Sequence, residues 1–568
     1  MEGEGCNVCG TPTVIYYGDR CRCRCISTPL LATPLNNGML HTFFSAILWS
    51  KHYSYFFTSF CRPSVFRQIA DFANVFKAFL GTNWIGLPFA FKESGVVLGL
   101  IGILVIAFIT DHCCQLIIKC KKAAVQQVLD TVPQSKDVES QDSNIAALRN
   151  TVEKRMLFGE IGRIALGKWG VLLVNGALIA TQYGFCVGYF IFLGQTISSM
   201  FPTPPKTHAV TTTMLPIHNV SNINLTNITS PTNGYVQKTL SADHDHTPPF
   251  AVLILLPLVP LILFSYIRGV RRLGPVSFAA NIALLMAFVS VVGYMLSGLK
   301  FKFSELRLVH WATFPVFFGQ VTSAYEGIGT IISIETSMAE NRHRFPLYLH
   351  FAIGGLSMIL AFFGLLGYAV YGEAVEQIVT ESFPQGVLIL IVRCLLCFAI
   401  LLTYPLQIFP VIEIVEGWLF KPERNVSTEG SVNTDSNSTV NNVAMSQGGM
   451  VGSASECSML LAPEIPKQKS RLRQWKKNLL RTCLVLSTAG IAIALKDDFA
   501  YVSAIVGSMG SSTLGFILPC VFHMILCRDL ITTRTKVKDC LFIAFGVIGG
   551  LVGIAVTIQQ IVEQFSKT

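Results

Sequence analysis

From residue 68 onward the chain is a succession of apolar runs, each long enough to cross a hydrocarbon layer about 30 Å thick as helix. Inside such a layer every backbone polar group must be satisfied within the protein, and for runs of this length that means α-helix. Eleven spans are expected, near residues 68–92, 94–118, 170–200, 249–267, 275–297, 312–338, 346–372, 385–415, 478–496, 499–526 and 537–563. Two of them are interrupted: the first at Gly81-Thr82-Asn83-Trp84-Ile85-Gly86, the sixth at Tyr325-Glu326-Gly327-Ile328-Gly329. Unwound backbone at membrane depth is tolerated only where it is buried in protein or lines a cavity, so both breaks point to peptide groups turned toward a bound solute.

With 51% hydrophobic and 13% charged residues and a mean hydropathy of +0.53, the chain reads as an all-α polytopic membrane protein whose surroundings are a lipid bilayer. Glu2 and Glu4 and the lack of a short apolar core near the start argue against a removable signal peptide, leaving targeting to the first span. Placing the N-terminus in the cytosol gathers most of the 43 Lys and Arg into cytosolic segments, including Arg268, Arg271 and Arg272 and the 528–538 turn, and leaves the C-terminus external or luminal. The net charge of +10 is then a signature of topology, and nucleic acid is excluded as a partner.

The same orientation puts 201–248 outside, with glycosylation sequons at Asn219, Asn224 and Asn227; those at Asn425 and Asn437 fall in the cytosol and should stay bare. The domain plan is a cytosolic, largely disordered segment 1–67, helices 1–8 over 68–415, a disordered cytosolic loop 416–477 and helices 9–11 over 478–568. The loop ends in a basic stretch, 467–477, suited to an anionic leaflet, and its Glu456 to Leu461 dileucine pattern is better read as chance. Six of the 17 cysteines precede residue 62 without the paired knuckles of a zinc site, so no metal is expected. Residues 39–60 are apolar but broken by His41, Lys51 and His52; if they cross, the N-terminus moves outside.

Motifs in four of the spans bear a family likeness. Gly81-Thr82-Asn83-Trp84-Ile85-Gly86-Leu87-Pro88 resembles the GTGxxGLP stretch of the auxin/amino acid permease group, and Thr181-Gln182-Tyr183-Gly184-Phe185-Cys186 resembles its third helix. Phe317-Phe318-Gly319 with Tyr325-Glu326-Gly327-Ile328-Gly329 resembles its sixth, and Ser511-Ser512-Thr513-Leu514 with Pro519 its tenth. The likeness covers 68–563 and is nearest to the proton-coupled amino acid transporters. It implies a LeuT-like fold, two inverted five-helix repeats plus one helix, in which helices 1 and 6 are equivalent. It also implies secondary active transport of small neutral amino acids, proton-coupled and sodium-independent, with no cofactor beyond the proton.

A zwitterion at the bilayer centre needs donors for its carboxylate and acceptors for its ammonium. Amides near Gly81, Thr82 and Asn83 begin a half-helix whose positive end suits the carboxylate, and carbonyls at Tyr325, Gly327 and Gly329 suit the ammonium. Gly86 would let the solute approach the backbone, and Tyr325 and Ile328 would limit its side chain; Tyr183, Thr403 and Tyr404 are further candidates, with Pro405 marking a candidate kink. Glu326 is the candidate proton carrier, or else a structural brace of the unwound segment. Lys77, where the proton-coupled branch also has Lys, would repel sodium if it pointed inward. Two positions depart from that branch: Asn74 stands where it often has His, and Asn83 where it has Gly. Sodium coupling and an endolysosomal amino acid sensor with little flux are therefore the alternatives, in a plasma or endolysosomal membrane. HExxH, GxSxG and Walker patterns in suitable context are missing, so no enzyme is expected.

Overall fold

The computed structural model describes residues 63–79, 81–131, 141–201, 213–216, 235–238, 249–268, 274–298, 301–420 and 471–567. The N-terminal cysteines, the 39–60 stretch, all five sequons and the dileucine pattern lie outside them. The chain divides into Met1–Arg67, of which only residues 63–67 are described, and the compact unit Gln68–Thr568, which contains the helical bundle.

Helix occupies every expected run. In chain order the helices are α1 (Pro63–Phe79), α2 (Leu87–Ser94), α3 (Val96–Asp130), α4 (Gln141–Arg155), α5 (Phe158–Ser198), α6 (Phe250–Ser265) and α7 (Gly274–Ser297). They continue with α8 (Phe314–Ala324), α9 (Ile328–Ser337), α10 (Phe345–Tyr371), α11 (Val387–Leu419), α12 (Arg471–Ala494), α13 (Phe499–Leu526) and α14 (Thr533–Lys567). Among the described residues, eight helices are long and apolar enough to cross a membrane, and α6 is a shorter apolar one. The two interrupted runs are the helix pairs α1/α2 and α8/α9. A two-stranded antiparallel ribbon, β1 (Thr213–Pro216) with β2 (Tyr235–Lys238), pairs Thr213 with Lys238 and Pro216 with Tyr235.

Local chemistry sets the boundaries. Pro88, Pro315 and Pro346 each sit in the first turn of a helix, where the missing N–H costs nothing. Gly95, at φ +78°, turns α2 directly into α3, and a side chain there would meet the backbone of Leu308 at 2.8 Å. That approach serves the first amides of α3: Val96 N–H donates to the Arg307 carbonyl and Val97 N–H to that of Leu308, both at 2.9 Å. The third expected span begins earlier than hydropathy suggests, at Phe158, with a non-helical Gly167 separating its first turns from the rest of α5. Residues 471–477 of the basic stretch are the first turns of α12, where Lys477 and Arg481 hold Glu416 of α11 at 2.7 and 2.8 Å.

Large apolar side chains are exposed around the bundle, among them Leu104, Phe108, Leu256, Met358 and Leu551, while charges such as Lys121, Glu335, Arg393 and Asp539 are buried. This inversion of the soluble pattern fits a chain surrounded by lipid, a multi-pass membrane protein. At its centre α8 packs against α2, α13 and α14, and α2 also packs against α10.

Candidate functional site

The two breaks meet. After α1 ends at Phe79, the chain makes a single 3₁₀ turn, Asn83–Gly86, before α2 begins. The Asn83 side-chain amide donates to the Ser323 carbonyl (3.2 Å) and hydroxyl (3.3 Å) in the last turn of α8. Ser323 Oγ also lies 3.1 Å from Ser503 Oγ of α13, so one hydroxyl at the end of α8 joins the first unwound segment to a third helix. On the second break, Gly327 is packed so closely on α1 that a Cβ would lie 2.6 Å from the Phe79 ring and 2.8 Å from the Ala78 carbonyl oxygen. Gly86 is equally confined, against the side chain of Gln320.

Gly81 is different. It is exposed, and nothing lies within 4 Å of the space a side chain would take. Several buried side-chain polar atoms make no hydrogen bond of good geometry among the described residues: Thr82 Oγ1 next to Gly81, both polar atoms of Gln320 beside Gly86, Gln182 Oε1 of α5, and Ser508 Oγ and Ser511 Oγ of α13. Unmet buried hydrogen-bonding groups are costly, so those of Thr82 and Gln320, at the first break, are candidates for contact with a polar molecule. Thr82 is turned toward the hydroxyl of Tyr189, which accepts from Gln407 at 3.4 Å; Ser511 is turned toward the Glu326 carboxyl. Glu326 is largely enclosed by protein and retains partial exposure.

The remaining sequence candidates separate. Tyr325 and Ile328 are buried at the second break, and the Tyr325 hydroxyl donates to Ser357 Oγ of α10 at 2.6 Å. Gly329 makes only ordinary contact, with Leu178 of α5. Tyr183 is engaged by its hydroxyl with Ser487 of α12 (2.8 Å), and Thr403 by its own with the Ala399 carbonyl (2.7 Å), so neither offers a free group to the breaks. Tyr404 likewise meets Thr488 at 2.9 Å, and α11 runs unbroken through Pro405. Lys77 is exposed on α1 and has no ion pair among the described residues. None of the described side chains fixes its ammonium toward the breaks. Sequence reasoning missed Ser323, Gln320 and Tyr189. Ser323 was two residues from a break already in view; the others carry no signal a helix-forming sequence would not.

The two ends of the site differ in closure. Thr82 through Phe91 are all buried, whereas among residues 67–79 of α1 only Val75 and Phe79 are, so the opening lies toward α1. Over α2 lies the connection between α10 and α11, whose 3₁₀ turn Val379–Ser382 packs on the Asn83–Gly86 turn. Buried Arg393 of α11 pins it, donating to the carbonyls of Thr380 (2.9 Å) and Ser199 (2.7 Å), and Gln377 Oε1 accepts from Ala500 N–H (2.8 Å). Burial, with Glu376 and Asp497 nearby, pushes the Glu381 carboxyl up to about 7, against the pull of Arg393; burial and Asp497 push Asp498 up to about 6.

Residues 69–133 and 143–559 match the family model described as transmembrane amino acid transporter protein. The chain is similar to the amino acid transporter AVT3B of Arabidopsis thaliana, 25% identical over 88% of this chain and 94% of that protein. AVT3A of the same plant is 26% identical over 87% and 90%. The vacuolar amino acid transporter 4 of Saccharomyces cerevisiae is 22% identical over 80% of this chain and 52% of that protein. These relatives are named as transporters and not as enzymes. With two broken helices joined at a polar opening and a family match over most of its length, the chain belongs to the transmembrane amino acid transporter family.

Proposed function

We propose that this chain is a secondary active transporter of small neutral amino acids, coupled to protons and independent of sodium, that works by alternating access around α1/α2 and α8/α9. The observation that carries the reading is the junction of the two breaks through Asn83 and Ser323 beside the open space at Gly81. The amides of Thr82 and Asn83 face the carboxylate, that of Gly81 being spent on the Phe79 carbonyl (3.0 Å); on the second break the Tyr325 carbonyl faces the ammonium, since that of Gly327 accepts from the Thr330 amide (3.0 Å) and hydroxyl (2.8 Å) and Gly329 lies within α9. Buried Tyr325 and Ile328 bound the space left for a side chain, which favours small substrates. Glu326, facing the opening next to Ser511, carries the proton.

On this reading all eleven helical runs cross the membrane, α1/α2 and α8/α9 each counting once, and they form two inverted repeats of five with α14 added. The packed α2 end and the open α1 end then correspond to an inward-facing state with its external or luminal gate shut. The yeast relative named as vacuolar favours an endolysosomal membrane. Counterflow in proteoliposomes, run against a panel of amino acids with pH and sodium varied separately, tests each part. Uptake of alanine or proline that follows the pH gradient and ignores sodium is expected. Binding without net uptake would identify a sensor, and a sodium requirement would reassign the coupling ion.

A further inference from the structure

Away from the breaks, at the end of the bundle where α1 is open, a cavity of about 450 Å³ lies among Lys122 and Gln126 of α3, Arg149 and Glu153 of α4, and Arg342 and His343 of the turn Ala339–Arg344. Three cations, Lys122, Arg149 and Arg342, stand in its walls. The one carboxylate there, Glu153, is taken up by Arg342 Nη1 at 2.5 Å. Arg149 uses one nitrogen on Gln126 Oε1 (3.0 Å), His343 accepts from Arg344, and Lys122 has no ion pair among the described residues. Lys122 and Gln126 stand four and eight residues past the last apolar residue of the second span, about 6 and 12 Å along a helix, which is headgroup depth. Two exposed cations around a concavity of this size suit a compact anion with several oxygens.

The cavity is also wired to the second broken helix. Arg342 binds Glu153 on its cavity side, and through Nε and Nη2 it binds Glu335 of α9, which is buried with Lys121 of α3. An anion seated on Lys122 and Arg149 competes with Glu153 for Arg342, and so changes the charge that holds α9 in place.

We propose that this cavity binds a phosphate-bearing anion, a lipid headgroup or a soluble phosphate, and that its occupancy tunes the mobility of α9. The second half rests on the transport reading; the binding itself does not. The test uses the full chain in micelles with inositol trisphosphate as the soluble probe, and in vesicles of phosphatidylcholine with and without phosphatidylinositol bisphosphate. Either probe should bind in a salt-sensitive manner, and K122Q with R149Q should weaken binding by at least about tenfold while amino acid counterflow without the anion stays at its wild-type level. Binding confined to the vesicles assigns the headgroup, and equal binding of the soluble probe assigns a free phosphate. Failure of both probes to bind, or equal binding by the double variant, overturns the site. Unchanged counterflow on anion binding overturns the link to α9 alone, and a chain that binds the anion but moves no amino acid overturns the transport reading alone.

Discussion

Replacing Glu335 by Gln is the perturbation whose cost follows most directly from the geometry. The carboxylate is 1% exposed and takes two cations: Lys121 Nζ at 2.6 Å and the Arg342 guanidinium. Lys121 is 0% exposed and, among the described residues, has no second bonded carboxylate, its other partners being the Thr336 hydroxyl (2.5 Å) and the Ile332 carbonyl (3.4 Å). The amide introduced by Glu335→Gln would keep the shape and remove the charge, stranding a buried ammonium, at a cost of about 3–5 kcal/mol. For a chain of 568 residues the entropy of unfolding makes each kcal/mol worth about 1 °C, so the melting point should fall by roughly 3–5 °C. Lys121→Met should cost less, because Glu335 keeps Arg342. In the double variant no buried charge is stranded and Arg342 keeps Glu153, so at least half of the Glu335→Gln loss should return. Thermal unfolding in one detergent, read on all four proteins, decides the matter. Losses that simply add would mean the two side chains do not share their desolvation, and the reasoning would be refuted.

Three more outcomes can be checked. Gly81→Phe should reach the membrane and melt like the wild type, since its side chain enters open space, yet lose substrate counterflow by at least about tenfold; intact uptake would place the solute elsewhere. Glu326→Gln should keep exchange of bound solute and lose accumulation driven by a pH gradient; unchanged accumulation would assign the proton to another group. At the α2 end, Glu381 rises from 4.5 to about 7, so the folded chain holds its proton more tightly than the unfolded chain does; the penalty of ionisation, about 3 kcal/mol, applies above pH 7 and fades as the pH falls toward 4.5. The wild type should therefore gain thermal stability on acidification across that window and Glu381→Gln should gain less, whereas parallel profiles would show that this carboxyl does not titrate there.

What the sequence made legible follows from what a membrane forbids. Because lipid leaves no partner for a bare peptide group, glycine-rich interruptions of the runs at 81–86 and 325–329 could be read as unwound before any packing was known, and both proved to be breaks between short helices. Hydropathy placed the runs but not their ends: α3 continues to Asp130 as an amphipathic rod, and α5 begins at Phe158 before the kink at Gly167, because polar helix beyond the bilayer leaves no apolar signature. Site membership was legible only along the chain. Asn83, Gly86, Tyr325 and Gly327 were candidates because they lie at the breaks; Ser323, Gln320 and Tyr189 come near the first break across helix interfaces that one sequence does not encode in order. Tyr183 and Thr403 had the right chemistry, but a hydroxyl in a helix is readily spent on a neighbouring helix or on a carbonyl one turn back, as theirs are. The same competition explains why the orphaned atoms are informative. Thr82, beside the open space at Gly81, and Gln320, against Gly86, have no such outlet of good geometry among the described residues, so the first break is where unmet polar atoms and open backbone coincide.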